Sequence, residues 1–526
     1  MRKKIGLRIL LSIVVLALSL KLIAIFFVEP WIAHKIESLS GQPTAPFKIK
    51  VEDVNLFLLS FGIGFNHITI YENTKDAVGT VATGNIDFVQ FKGLNIFKVF
   101  FSHELVFREL LVSNGNIENK VSHSKHSPHP FLLPFKISIQ AIHLDHVDLK
   151  LQDKLSSRTY LIRNSSFDFR DFILLKGEKP FSFSSTSFEL NCPQLVVTST
   201  DSMYTFLVDR ISYSTVTEHL AIDSFIIRPN YKEYDFTSRE KYQIDRIEGS
   251  FIHNDVYGFC MDDFIKYGDI VFREAIVRNL DMDIFRDRRK PFEHKQKPVF
   301  QDILEEYAHT IDVDSIHLLN GNIKYAEHAK DANHPGIVRF KDATASIYTI
   351  SNDTLRRGLN DTLIMRAEAM LYGKGKLRVR VKAKLFEPHH TFEMNGRLGP
   401  MLAKALNPIL EKNAFLYAYG KINSLSFNFI ANQNSSSGSV LFLYNDLSIT
   451  LKNKTSDDTS GLKEQVLTKV ANTIMIDDNP TQDEPTRRGT ISYQRDPEKM
   501  FFNYSLKSVL SGIKPSVNKA AEKKKK

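Results

Sequence analysis

Cysteine is almost missing from this chain of 526 residues, which holds only Cys192 and Cys260. Cysteine-type zinc modules take their ligands in closely spaced pairs and disulfide scaffolds need several bridges, so both classes are excluded. A single disulfide stays open, because spacing does not show whether the two positions meet. The strings that mark familiar enzyme chemistry are missing too: there is no G-x-S-x-G elbow, no H-E-x-x-H and no G-x-x-x-x-G-K loop closed by Ser or Thr. Ser122 and Lys125 stand at the spacing of a Ser/Lys nucleophile pair, yet neither S-D-N nor K-T-G occurs. His123, His126 and His129 lie in a Ser/Pro loop without a neighbouring carboxylate or thiolate, which offers no rigid metal geometry. His389-His390 after Pro388 reads as a polar turn. No catalytic residue, metal or cofactor is expected, and the chain reads as a non-enzyme.

Positive charge is lacking where a nucleic-acid binder needs it. The formal net charge is +9, but the excess sits at the ends: Arg2, Lys3, Lys4, Arg8 and Lys21 at the start, Lys519 and Lys523 to Lys526 against Glu522 at the finish. The body between sums to near zero, so no nucleic-acid partner is expected. Lys523, Lys524, Lys525 and Lys526 would attract anionic headgroups by about 1 kcal/mol per charge near a membrane surface. The same run also fits a solvated tail.

Long apolar runs are missing except for one. From Ile9 to Val28 the only polar residues are Ser12, Ser19 and Lys21, and about 20 residues cross a bilayer core. With Arg2, Lys3, Lys4 and Arg8 before the run and Trp31 after it, the positive-inside rule places the amino terminus in the cytoplasm and Trp31 at the far interface. Lys21 lies past the midpoint, where its long stem can snorkel to the headgroups. A cleaved signal peptide shares the basic start and apolar run, but no small-x-small site follows. The expectation is a basic start at 1–8 and an uncleaved single-pass anchor at 9–28.

Past residue 45 apolar and polar residues alternate, as in Leu377-Arg-Val379-Arg-Val381 and Leu425-Ser-Phe427-Asn-Phe429, the pattern of half-buried antiparallel strands. A repeat runs through them. Phe107-Arg-Glu-Leu-Leu-Val-Ser-Asn-Gly-Asn-Ile117 aligns with Ile139 to Leu149, with Phe272 to Met282 and with Val313 to Ile323. Each copy reads as a strand, an Asn/Asp/Gly turn and the next strand, a hairpin signature. Before the turn the apolar phase slips by one: Ile137 and Ile139 are followed by Ile142 and Leu144, and Ile311 and Val313 by Ile316 and Leu318. One extra residue at a fixed point predicts a β-bulge, which bends and twists a sheet.

The predicted fold is mainly β: an elongated, curved antiparallel sheet of repeated bent hairpins forming a β-groove, with a few short helices, preceded by one transmembrane helix. Helices are expected at Leu94 to Phe101, Pro298 to Ala308 and Pro400 to Glu411, the last shortened or kinked by Pro408. An amphipathic helix is expected near 462–476, where Leu462, Val466, Val470 and Ile474 recur every fourth residue. The body divides into an N-terminal β module at 32–120, a repeated body at 131–355 and a C-terminal β module at 360–514, before a basic disordered tail at 515–526.

The basic start and single apolar run, then Val51-Glu-Asp-Val-Asn-Leu56, Gly93-Leu-Asn-Ile-Phe97 and Glu104-Leu-Val-Phe-Arg-Glu-Leu110, resemble the opening of AsmA-like proteins. Leu406-Asn-Pro-Ile-Leu410, Tyr444-Asn-Asp-Leu447, Asp478-Asn-Pro480 and Arg488-Gly-x-Ile-x-Tyr493 resemble that family's closing module. The resemblance implies an anchor in the bacterial inner membrane with the body in the periplasm. It also implies a part in cell-envelope maintenance, binding or conveying phospholipid or another acyl lipid between membranes, as the large TamB-like and YhdP-like members are regarded as doing.

Physically, an uncovered apolar sheet face is a low-dielectric trough that gains about 0.8 kcal/mol per CH₂ buried on it. Candidate lining residues are Ile137, Ile139, Ile142, Leu144, Ile311, Val313, Ile316, Leu318, Phe427 and Phe429. The competing reading packs the same residues into a closed core. The body then serves as a scaffold or docking module for envelope proteins, assisting outer-membrane protein assembly.

Overall fold

Alternation governs the chain from Phe47 onward, as predicted, and makes it mainly β. The computed structural model describes residues 18–19, 21–40, 47–72, 81–102, 104–121, 136–153, 159–174, 183–453, 459, 461–481 and 485–518. The chain divides into two units, 1–223 and 224–526. The first contains β1 (Phe47–Phe57), β2 (Gly62–Glu72), β3 (Val81–Lys92), β4 (Leu105–Val121), β5 (Ile137–Asp153), β6 (Thr159–Leu174), β7 (Phe183–Ser184), β8 (Ser187–Thr198) and β9 (Tyr204–Ser214). Helices α1 (Glu29–Ser40) and α2 (Ile96–Ser102) accompany them. Strand β10 (His219–Pro229) spans the boundary.

The second unit contains β11 (Asp245–Tyr257), β12 (Ile270–Asp287), β13 (Ile311–His328), β14 (Gly336–Ser351), β15 (Thr362–Leu371), β16 (Gly375–Lys384), β17 (Phe392–Leu398), β18 (Met401–Leu402), β19 (Leu416–Ala431), β20 (Ser435–Leu451) and β21 (Arg488–Gln494). Its helices are α3 (Glu233–Ser238), α4 (Met261–Tyr267), α5 (Phe300–Glu306), α6 (Asn407–Asn413), α7 (Leu462–Ile474) and α8 (Phe501–Ser516).

The expectation of a wholly antiparallel sheet of hairpins is corrected at two places. β4 and β5 run parallel, and so do β12 and β13. The aligned repeat copies are themselves the partners: Phe107 lies opposite Ile139 and Ile117 opposite Leu149, while Phe272 lies opposite Val313 and Met282 opposite Ile323. Two copies with one apolar spacing set like beside like only when they run the same way. Parallel neighbours need a crossover of about a dozen residues or more, and the stretches between β4 and β5 and between β12 and β13 are long enough for one. The loop bearing Ser122, His123, Lys125, His126 and His129 lies outside the described residues.

Nor does the chain turn at the Asn-Gly strings. Asn114, His146, Asn279 and Asn320 take φ of 56°, 55°, 49° and 63°, yet each strand pairs on both sides of that residue. Asn and His are among the residues that tolerate the left-handed region, so each is a kink in a continuing strand. The kinks lie side by side, Asn114 with His146 and Asn279 with Asn320, and Asn320 Nδ2 donates to Asn279 Oδ1 at 3.0 Å. No register-shifting bulge forms at the predicted phase slips, which corrects that expectation; the register of β5 with β6 shifts instead between Leu144 and Leu149, and that of β13 with β14 between Leu318 and Ile323, at the kinks. Pairing is interrupted at Gln140 and Asp314 without loss of register, and across from them Asp171 and Thr349 have φ of 47° and 59°. Both strands absorb the irregularity at one level, which is why the register survives it.

The larger buried cluster among the described residues lies in the second unit, with Phe392, Met394, Phe429, Val440, Tyr444, Ile491 and Tyr504 at its centre. Helix α8 covers it from β20 and β21, burying Tyr504, Ser505, Ser508, Val509, Gly512 and Ser516. The Ser436 and Ser508 hydroxyls meet at 2.7 Å, and the Tyr504 hydroxyl donates to Asn432 O at 3.2 Å; burial pushes that phenol up to about 12. The expected tail is corrected here, since α8 runs to Ser516 and Asn518 bridges to Met475. Lys523, Lys524, Lys525 and Lys526 lie outside the described residues.

Helices α2, α5 and α7 fall within or close to their expected spans, whereas the span 400–411 divides into β18, a 3-10 turn at Ala403–Leu406 and only the start of α6. Pro408 sits in the first turn of α6, where its missing N–H removes no helical bond. At the amino end, Leu18–Ser19 and Lys21–Ser40 are helical, with a π turn at Ala24–Val28. Among the described residues no helix is long and apolar enough to cross a membrane. Residues 9–17 and 20 of the expected anchor, with Arg2, Lys3, Lys4 and Arg8, lie outside them.

Candidate functional site: apolar lines across the strands

Directly paired residues share a sheet face, and so do residues two apart along a strand. In the first unit this sets Val54, Phe65, Val89, Val112, Leu144, Phe167, Leu190 and Tyr213 in one line that crosses eight strands. Leu56, Ile63, Phe91, Leu110, Ile142, Phe169 and Phe188 form the next line on the same face. At about 4.8 Å per strand the longer line extends roughly 34 Å. Aromatic rings fill its far half, with Phe169 and Phe188 centroids 4.9 Å apart and Phe167 and Phe188 stacked at 6.4 Å.

The other face is mostly polar: Gln90, Leu111, His143, Asp168, Glu189 and Ser214 pair in sequence there, and His143 is ion-paired with Asp168. The longer line is buried at its ends, under Ile32, Ala33 and Ile36 of α1 at Val54 and Phe65, and again at Tyr213, whereas the second is buried only at Ile142. Val89, Val112, Leu144 and Phe167 between them are half-buried. Neighbouring strands cover these side chains from the sides and leave the rest of their surface open.

The second unit repeats the device. Val256, Ala275, Ile316, Ile347, Met365, Val381, Met394 and Phe429 form one line, and Val277, Leu318, Ala345, Ala367, Val379, Gly396, Phe427 and Val440 the next. Burial grades along it: Ile316, Ile347 and Met365 are half-buried, whereas Val381 is 2% and Phe429 1% exposed.

The ten expected lining residues therefore separate. Ile142 and Leu144 lie in the two lines of the first unit, Ile316 and Leu318 in the half-buried stretch of the second. Phe429, 1% exposed, belongs to the core that Phe392, Phe501 and Tyr504 close, and Phe427 is half-buried against that core. Ile137 and Ile139, and likewise Ile311 and Val313, lie on the other side of the pairing interruptions, with Ile139 and Val313 buried. Val112, Phe167, Phe169 and Phe188 escape selection by alternation within the repeat alone. The alternating Phe167-Asp-Phe169 is the signal that carries two of them.

Lys21 does not snorkel. Its Nζ lies 3.2 Å from Glu29 Oε1 and donates to Leu56 O at 3.1 Å, while Glu29 Oε1 accepts the Leu56 N–H at 2.7 Å. Ser40 Oγ accepts the Ile49 N–H at 2.9 Å, so the helix lies along β1 in the opposite direction, tied at both ends. Beside the Lys21–Glu29 tie, Phe26, Phe27 and Trp31 are 69%, 72% and 63% exposed. Glu29→Leu removes the acceptor of the part-buried Leu56 N–H, and the expected local cost is about 1 kcal/mol. Hydrogen exchange of the Leu56 amide should accelerate while β4 to β6 keep their protection; an unchanged Leu56 rate would remove the tie from this account.

His390 is not a plain polar turn. It is 6% exposed, with Nδ1 2.6 Å from Asp302 Oδ1, Nε2 3.3 Å from Glu305 Oε1, and Gln433 Nε2 2.9 Å from Nδ1. Two carboxylates of α5 are thereby fastened beside β17 and the β19–β20 turn. Cys192 and Cys260 are both free, and burial pushes the Cys260 thiol up. Compared with protein-family models and with curated proteins, the chain matches none.

Proposed function

We propose that the chain is an AsmA-like protein, anchored by its amino-terminal helix in the bacterial inner membrane with its body in the periplasm, that conveys acyl lipid along the apolar lines of its first unit. The observation that carries this reading is the pair of lines itself, apolar at every one of the strands they cross, with Val89, Val112, Leu144 and Phe167 of the longer line half-buried. An acyl chain laid across the strands meets an apolar side chain about every 4.8 Å. It gains about 0.8 kcal/mol for each CH₂ withdrawn from water. Successive steps along the line are chemically alike, so no position traps the chain and it can slide. The headgroup needs no partner on that face and stays in water. The second line begins at Leu56, whose backbone is tied to Lys21 and Glu29, so lipid of the anchoring bilayer lies at hand.

The test is photocrosslinking in the intact cell, with a photoreactive residue in place of Val112, Leu144 or Phe167, or in place of Ser113, Asp145 or Asp168 on the opposite face. Phospholipid adducts at the first three positions and not at the second three are expected. Absence of lipid at all six would overturn the reading. Protein adducts at the apolar positions would replace it by the docking module for envelope proteins.

A further inference from the structure

The edge of the first unit beside the amino-terminal helix exposes a cluster that the apolar lines do not use. Past Leu56 the chain makes a 3-10 turn at Leu58–Ser60 and enters β2. The segment before α2 is bonded to that turn, Gly93 N–H donating to Ser60 O at 3.1 Å and Leu94 N–H to Phe61 O at 2.9 Å. Asn95 Oδ1 accepts the Lys98 N–H at 3.1 Å at the start of α2. Phe97 and Phe101, one turn apart on one helix face, are 77% and 83% exposed, and Leu58 and Phe61 are 43% and 56% exposed. Single exposed apolar residues are ordinary on a protein surface, whereas a contiguous aromatic group marks a contact.

The bonds around Leu56 set the height of this cluster. Lys21 and Glu29 hold the end of β1 against the stretch in which Leu22, Ile23, Phe26 and Phe27 are exposed. Leu58 and Phe61 follow Leu56 directly, and α2 is bonded to their turn. These bonds place the start of α2, which carries Phe97 and Phe101, beside the turn that follows Leu56. Lys98, exposed between them in sequence, adds the cation that suits a headgroup layer.

We infer that Leu58, Phe61, Phe97 and Phe101 form a second, monotopic contact with the same bilayer that receives the amino-terminal helix. The inference rests on the reading of that helix as the membrane anchor. It holds the first residues of the apolar lines at the level of the lipid, so that an acyl chain passes from bilayer to sheet without crossing open water.

Trp31 is the only tryptophan, which makes both readings measurable in the full chain. The protein is reconstituted in vesicles of phosphatidylethanolamine and phosphatidylglycerol whose acyl chains carry bromine, a contact quencher of indole fluorescence. The wild-type chain reports on the anchor. Phe97→Trp and Phe101→Trp, each with Trp31→Phe, report on the contact, and Val216→Trp with Trp31→Phe reports on an exposed apolar position in the turn between β9 and β10. Quenching of Trp31 and of both α2 reporters to a similar extent, with the Val216 reporter unaffected, is the expected result. Quenching of Trp31 alone overturns the second contact and leaves the anchor standing. No quenching of Trp31 overturns both, and equal quenching at all positions reduces the contact to general adsorption and overturns it.

Discussion

Gly489→Val is expected to lift α8 off the sheet. A Cβ at Gly489 would stand 1.8 Å from Gly512 O, and one at Gly512 would stand 2.6 Å from Val440 Cγ2 and 2.9 Å from Ile491 Cγ1. The obstacle at Gly489 is helix backbone, which cannot rotate aside as a side chain can. Moving α8 outward uncovers Tyr504, which is 1% exposed, and separates the Ser436 and Ser508 hydroxyls. Overpacking a closed core costs about 1–3 kcal/mol where neighbours yield. Here the expected loss is about 3 kcal/mol or more, because the displaced element also closes the largest cluster. A chain of two units need not unfold in one step, so the readout is local. Amide exchange in 436–442 and 489–493 should accelerate strongly while β4 to β6 are unaffected. Retention of full protection in those strands would show that α8 does not depend on the close approach.

Asn479→Ala carries the second large effect. Asn479 is 1% exposed and all of its hydrogen-bonding groups are used. Nδ2 donates to Phe442 O at 2.6 Å and to Arg487 O at 3.1 Å, Oδ1 accepts the Arg487 N–H at 2.9 Å, and its backbone pairs both ways with Tyr444. Truncation removes the partner of the buried Phe442 carbonyl and takes one bond each from the part-buried Arg487 carbonyl and N–H. A buried orphan costs about 1–3 kcal/mol and a part-buried one less, so the expected total is about 2–4 kcal/mol. Asn479→Asp separates hydrogen bonding from packing, since it keeps the volume and the Oδ1 acceptor but turns the Nδ2 donor into an oxygen facing two carbonyls. The aspartate should be at least as damaging as the alanine, measured as the denaturant midpoint of exchange in β20 and β21. A harmless aspartate would sink the hydrogen-bond account and leave a volume effect.

These two positions also show how far the sequence can be read. The Asp478-Asn-Pro480 string is visible in it, but Asn479 matters because Phe442 of β20 and Arg487 just before β21 come to it, and no local pattern names them. Helix α8 escapes a search for apolar periodicity because its buried face is built of Ser505, Ser508, Gly512 and Ser516, small residues whose value lies in letting backbones approach. The Asn-Gly strings invite a hairpin because Asn in the left-handed region most often belongs to a turn. In the folded chain Asn114 and Asn320 are kinks, since neighbouring strands hold the residues on both sides. His390 reads as polar and exposed until α5 brings Asp302 and Glu305 to it.

Local features are legible in the sequence: strand alternation over most of the body, the spans of α2, α5 and α7, and the repeat. Period and propensity act between residues a few positions apart, so a linear text records them. Tertiary pairing set the repeat copies parallel, put Val112, Leu144 and Phe167 in one line, and closed Phe429 into the core. It also decided that Lys21 turns to Glu29 and Leu56. Each of these depends on which distant backbone edge a strand or helix meets, and that choice is made by the summed pairing and burial of whole elements rather than by any residue's near neighbours.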